Sequence, residues 1–187
     1  MSWLAAIEQY QPYTEQERKD QHLFLHCAAI FPDILNRKNE LVHVTSSACA
    51  VNKKRDKLLM VHHNVYKTWS WPGGHADGEE NLLAVAIKEL KEETGVRNCR
   101  VVLPDIFSLD ILPVLGHCKR QQYVSAHLHL SVAYLLEVNE TETFCVKQDE
   151  NSAVKWMAMD AVSQCTPEPH MQEVYAKIVT KIRSLSV

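Results

Sequence analysis

No apolar stretch in this 187-residue chain approaches the roughly twenty residues a membrane-spanning helix requires, and Met1–Tyr10 lacks the basic start and long apolar middle of a secretory signal. A cytoplasmic protein with no membrane partner is expected. The six cysteines, Cys27, Cys49, Cys99, Cys118, Cys145 and Cys165, never form a C-x-x-C pair. In a chain of this size that argues against a disulfide framework and gives no zinc-ligand spacing, so reduced thiols are expected. An excess of positive charge is also missing: the net charge is −3, which weighs against a nucleic-acid surface. Repeats and low-complexity segments are absent. What remains, 46% hydrophobic and 23% charged residues, suits one globular domain with a real core.

The informative run is residues 74–96, GHADGEENLLAVAIKELKEETGV. Asp77 as N-cap, Glu80 three residues later as the partner of a capping box, and Gly95 as a left-handed stop predict a helix of about four turns. Leu83, Ala86 or Ile87, and Leu90 recur at helical spacing and supply its apolar face. Glu89, Glu92 and Glu93 then stand at i, i+3 and i+4, on one side of a single turn. Like charges at that spacing each cost a few tenths of a kcal/mol, and acids in a last turn oppose the helix dipole by about 0.3–1 kcal/mol each. A helix built only for stability would place lysine there. An ordinary salt-bridged surface helix is the plainer reading, with Lys88 and Lys91 softening the repulsion, but the glycines on both sides and the three carboxylates together point to a bound cation.

These residues resemble the Nudix box: Gly, five residues, Glu, seven residues, Arg-Glu, an apolar residue, any residue, Glu-Glu, any residue, Gly and an apolar residue. Gly74, Glu80, Glu89, Leu90, Glu92, Glu93, Gly95 and Val96 fall on it, and Lys88 stands where the family has arginine. The resemblance implies a hydrolase that cleaves the pyrophosphate linkage of a nucleoside diphosphate joined to another group, with Mg²⁺ or Mn²⁺ as cofactor. It implies that Glu89 and Glu93 are the principal metal ligands, that Glu92 is a further ligand or the base, and that the Gly73 carbonyl completes the shell. The glycine pair Gly73-Gly74 lets backbone approach metal and phosphates closely. Lys88 keeps the arginine's charge and loses its planar fork. In many members a late-loop glutamate adds a ligand or base. Glu150, in Gln148-Asp149-Glu150-Asn151, is the candidate here, with a solvated turn acid as the alternative.

Substrate recognition has fewer signals. Trp71 beside the glycine pair is a candidate for stacking on a base, and packing on the sheet is its plainer role. His127 and His129 share one face of an expected strand, and His129 is a candidate phosphate contact. Arg120, in the segment Asp110–Gln122, is a third candidate. The partner is a small-molecule nucleoside diphosphate derivative whose second group stays open.

Helices are expected at Ser2–Tyr10, Glu15–Ile30 and Glu168–Leu185, and strands at Val42–Val51, Lys57–His62, Val101–Val102, Ile106–Leu112, Tyr123–Glu137 and Ala153–Met157. Strands interleaved with few helices predict an α/β fold, an α/β/α sandwich around a mixed β-sheet, which is also the Nudix fold. Residues 1–40 form a helical N-terminal extension to a hydrolase domain at 41–187; as a buttress, a lid or a homodimer contact, their role is open. The competing functional reading is a catalytically weak nucleotide-binding or regulatory module of the same fold.

Overall fold

The computed structural model describes residues 2–65, 67–119 and 121–185. In chain order the elements are α1 (Trp3–Gln9), α2 (Glu15–Ile30), β1 (Val42–Val51), β2 (Lys57–His63), β3 (Trp69–Ser70), β4 (Gly73–His75), α3 (Leu82–Thr94), β5 (Cys99–Val101), β6 (Ser108–Val114), β7 (His117–Lys119), β8 (Gln122–Val124), β9 (His127–Val138), β10 (Asn151–Ala158), α4 (Met159–Val162) and α5 (Pro169–Ser184). One mixed, eight-stranded sheet has the strand order β10-β2-β1-β9-β5, with β3 paired to β2, β4 to β1 and β6 to β9. β7 and β8 form a separate hairpin. No described helix is long and apolar enough to cross a membrane.

The chain divides into two compact units. The first comprises the chain through Ser47, Gly73–Ala86 and Leu103–Tyr134. Ser2 and Thr14 cap α1 and α2, each accepting a hydrogen bond from the backbone N–H three residues on. A cluster of Ile7, Tyr10, Phe24, Ile34, Val44, Leu109, Leu130 and Val132 forms this unit's core. Glu17 is fully buried because donors surround it: the Tyr10 hydroxyl at 2.7 Å, the Tyr13 N–H at 2.7 Å and the Ser108 hydroxyl at 3.2 Å. The Ile111 N–H donates to Asp20 at 2.9 Å, so α2 is fastened to β6 by polar contacts as well as by packing.

The second unit comprises Ala48–Pro72, Ile87–Val102 and the chain from Leu135. β10 pairs antiparallel with β2, from Asn151 opposite His63 to Ala158 opposite Lys57. The register slips between Asn151 and Ala153, a bulge directly after Glu150. Tyr175, Ile178 and Ile182 recur at helical spacing and are buried on α5.

Two local expectations are corrected. The helix expected in residues 74–96 starts later than Asp77 predicts: α3 opens at Leu82, and Asn81 caps it, its side chain accepting from the Ala84 N–H at 3.0 Å. Asp77 instead takes a left-handed turn conformation, φ 50°, ahead of Gly78 at φ 91°, and its carboxylate pairs with Arg37. The expected strand over Tyr123–Glu137 is two strands. β8 folds back on β7, with His117 opposite Val124, before β9 begins at His127. Alternation reads the same in both pieces, and only the pairing partner separates them.

Candidate active site

Gly95 behaves as its sequence position demands: it lies at φ 73° and donates its N–H to the Lys91 carbonyl at 2.9 Å, closing α3 in the left-handed turn. A Cβ there would sit 2.8 Å from both the Cβ and the backbone N of Cys145, so the glycine also lets the segment before β10 run against the helix end. That segment is tied down by backbone. The Cys145 N–H donates to the Thr94 carbonyl at 2.8 Å, and the side chain of buried Asn151 donates to the Glu93 carbonyl at 2.8 Å. Two orphan carbonyls of the helix terminus are thereby satisfied by the late loop. The same ties bring Glu150 to the acids of α3.

The resulting site lies within the second unit. Glu89 is nearly buried and Glu93 is buried, at 9% and 3% exposed, whereas the Glu92 side chain is 41% exposed. Lys88 Nζ stands 3.7 Å from both Glu89 and Glu92. On the other side, Lys147 Nζ stands 3.5 Å from Glu92 and 3.0 Å from Glu150. Burial pushes the Glu89 carboxyl above the usual carboxylate range, opposed by Lys88 and reinforced by Glu92 and Glu150. Lys147 is held protonated: burial works against its charge, but the Glu150 hydrogen bond and the nearby Glu92 and Glu89 charges prevail and raise it. Three carboxylates, those of Glu89, Glu92 and Glu150, thus converge, with two ammonium groups between them.

Among the sequence-predicted residues, Glu89, Glu92, Lys88 and Glu150 are brought into one electrostatic group, and Glu93 is buried on the same helix. Trp71 is 7% exposed in the same unit, its ring edge-on to Tyr175 at 5.2 Å. Gly73 and Gly74 lie in the first unit on β4, opposite Ser47 and Ser46 of β1. A Cβ on Gly73 would fall 2.3 Å from the Ser47 hydroxyl, so that position requires glycine. His129 lies in the first unit on β9, its ring centroid 4.9 Å from that of His43 and 5.0 Å from that of His127. Arg120 lies outside the described residues.

Sequence reasoning missed Lys147 and Asn151. Lys147 stands three residues before Glu150, a spacing that lets the two meet across one turn, but only the ties to α3 place it beside Glu92. Asn151 looks like a loop residue until its side chain is seen bridging Glu93 and the Lys147 N–H.

The NUDIX domain model matches residues 41–181, three-quarters of the chain. The chain belongs to the Nudix family. A probable DHNTP pyrophosphohydrolase of Lactococcus lactis is 35% identical over 97 residues, 51% of this chain and 55% of that protein. The m7GpppN-mRNA hydrolase NUDT17 of Xenopus laevis is 30% identical over 164 residues, 76% of this chain and 53% of that protein. The chain therefore spans little more than half the length of these relatives. Among solved structures, an Ap4A hydrolase of C. elegans in a binary complex superposes with a TM-score of 0.57 at 15% identity, covering 76% of this chain and 98% of that one. This likeness shows the Nudix fold.

Proposed function

We propose that this Nudix protein is a divalent-metal-dependent hydrolase that cleaves the pyrophosphate linkage of a nucleoside diphosphate derivative. The observation that carries the reading is the convergence of Glu89, Glu92 and Glu150, with Glu93 buried beside them, around positions held by two lysines. Carboxylate oxygens are hard donors and match Mg²⁺ or Mn²⁺. When bound, such an ion neutralises the bridging phosphates and lowers the pKa of attacking water.

The chain's own residues supply the rest. Glu89 and Glu93 would hold the cation from consecutive turns of one helix. Glu92, the most exposed of the helix acids, is free to ligate or to accept the proton of water. Glu150 joins from the late loop as a further ligand or base. Lys88 orients Glu89 and Glu92 from the solvent side. Lys147 balances Glu92 and Glu150 and keeps the cluster assembled in the absence of metal. Residues 41–187 carry this chemistry, and residues 1–40 buttress the first unit through α2 and β6.

The names of the relatives and of the structural neighbour, which refer to DHNTP, to m7GpppN-mRNA and to Ap4A, define the panel for a test. Phosphate release is measured on these compounds, nucleoside triphosphates, nucleotide sugars and ADP-ribose, with Mg²⁺, with Mn²⁺ and with excess chelator. Turnover that requires metal and disappears in Glu92→Gln is expected. Full activity in chelator refutes the site, and saturable binding without turnover on any compound favours the weak binding module instead.

A further inference from the structure

A second group of ligating side chains lies in the first unit and takes no part in the chemistry above. His43 on β1, His75 on β4 and His129 on β9 each offer a ring nitrogen, and these three nitrogens lie within 4.8 Å of one another. The ring centroids form a closed set: 5.0 Å from His43 to His75, 4.9 Å from His43 to His129 and 5.2 Å from His75 to His129. Three points so spaced lie at most about 2.8 Å from a common centre, so side-chain shifts of under about 1 Å reach the roughly 2.0–2.1 Å of a zinc–imidazole bond.

The protonation pattern supplies an independent argument. Nδ1 of His43 is 2.9 Å from the Asn39 carbonyl, which can only accept, so Nδ1 carries the proton and Nε2 the lone pair. That Nε2 is buried and has no hydrogen-bond partner, on a residue only 3% exposed. A buried acceptor without a donor costs about 1–3 kcal/mol unless something fills the need. A metal-ligating histidine has this same arrangement, one nitrogen on a backbone carbonyl and the other aimed at the ion. His127 repeats it: its Nδ1 is 2.8 Å from the Ser125 carbonyl, which leaves its Nε2 to accept from Nε2–H of His129 at 3.2 Å. His129 is thereby oriented by a neighbour that is itself oriented by backbone.

We propose that His43, His75 and His129 form a binding site for a borderline divalent transition-metal ion, zinc in class, distinct from the carboxylate site for Mg²⁺ or Mn²⁺, with His127 as a positioning residue for His129. Neutral imidazoles suit zinc, nickel, copper and iron, and carboxylates suit magnesium and manganese, so the two sites sort cations by donor chemistry. The environment also keeps His129 and His43 neutral. Burial and the neighbouring histidines push the pKa of His129 down to about 2, and burial lowers that of His43. Three protein ligands leave a fourth position open to water or an anionic group.

The test uses the full chain, stripped of metal and held in saturating Mg²⁺ so that the carboxylates are occupied. Zn²⁺ is titrated by calorimetry, and Co²⁺ by its visible absorption, which is intense in a low-coordinate nitrogen site. One tight equivalent of Zn²⁺ is expected. His75→Ala and His129→Ala should weaken it by about a hundredfold or more and abolish the Co²⁺ spectrum, His127→Phe should weaken it about tenfold to a hundredfold, and Glu92→Gln should leave it intact. Long-range ¹H–¹⁵N spectra of the unsubstituted protein give a check independent of folding in the variants: the His43 Nε2 resonance should shift on adding Zn²⁺. The proposal is overturned if no Zn²⁺ binds in the presence of Mg²⁺, if that resonance does not move, or if binding survives both alanine variants or is lost in Glu92→Gln.

Discussion

Replacing Glu89 by Gln separates the cost of the acidic cluster from its use. In the metal-free protein the substitution removes two like-charge pairs on α3, with Glu92 at i+3 and Glu93 at i+4, each worth about 0.2–0.5 kcal/mol. It gives up a contact with Lys88 whose side chain is 64% exposed, which places that contact near the low end of the roughly 0–1 kcal/mol of surface pairs. Because the Glu89 side chain is only 12% exposed, relief of its desolvation adds to the gain. A net stabilisation of about 0.5–1 kcal/mol follows, or a Tm rise of about 1–4 °C for a chain of this length. The pH dependence has a defined sign. A carboxyl whose folded pKa is raised contributes its stability below the unfolded value, about 4.3, and loses it as pH rises through the folded value. The variant and the parent should therefore match near pH 4 and diverge toward neutrality, the variant being the more stable. Saturating Mg²⁺ should reverse the order, since an ion at a hundred times its Kd adds about 2.7 kcal/mol to the protein that binds it. Scanning calorimetry at several pH values, in chelator and in Mg²⁺, reads all of this. A variant less stable than the parent in chelator at pH 7, or one that gains equally from Mg²⁺, would refute the reasoning.

Three further outcomes are expected. Lys147→Met should destabilise the chelated protein by about 1 kcal/mol, because Glu92 and Glu150 lose their shared counter-charge, and Mg²⁺ should restore most of it; an equal loss with and without Mg²⁺ in thermal melts would make Lys147 a packing residue only. Lys88→Ala should lower kcat about tenfold or more, some 1.4 kcal/mol of barrier, while Lys88→Arg leaves it unchanged or raises it; steady-state kinetics in saturating Mg²⁺ in which Lys88→Ala matches the parent would reduce Lys88 to a surface lysine. Gly95→Ala should cost about 1–3 kcal/mol in denaturant titration, from the left-handed backbone and the overlap with Cys145, and a loss under 0.5 kcal/mol would mean that the loop yields freely.

The box and its chemistry were readable from sequence because every element of them is local. Glu89, Glu92 and Glu93 share a side of α3 through helical periodicity alone, and Gly95 ends the helix because only glycine takes that backbone conformation cheaply. The bounds of α2 and β1 are likewise local, Thr14 capping the one and alternation running along the other. Even here the local signal had a limit. Asp77 and Asn81 are both good caps, and the choice fell to Asn81 because Arg37, forty residues away in sequence, pairs with Asp77. The decisions left to tertiary structure concern groups far apart in the chain. Lys147 and Glu150 reach the α3 acids only because Cys145 and Asn151 bond to the helix terminus, and ring nitrogens of His43, His75 and His129 approach one another only because β1, β4 and β9 bring them together. Periodicity and spacing carry information over one or two turns of chain, whereas a site assembled from separate strands is set by pairing and burial, which no single segment records.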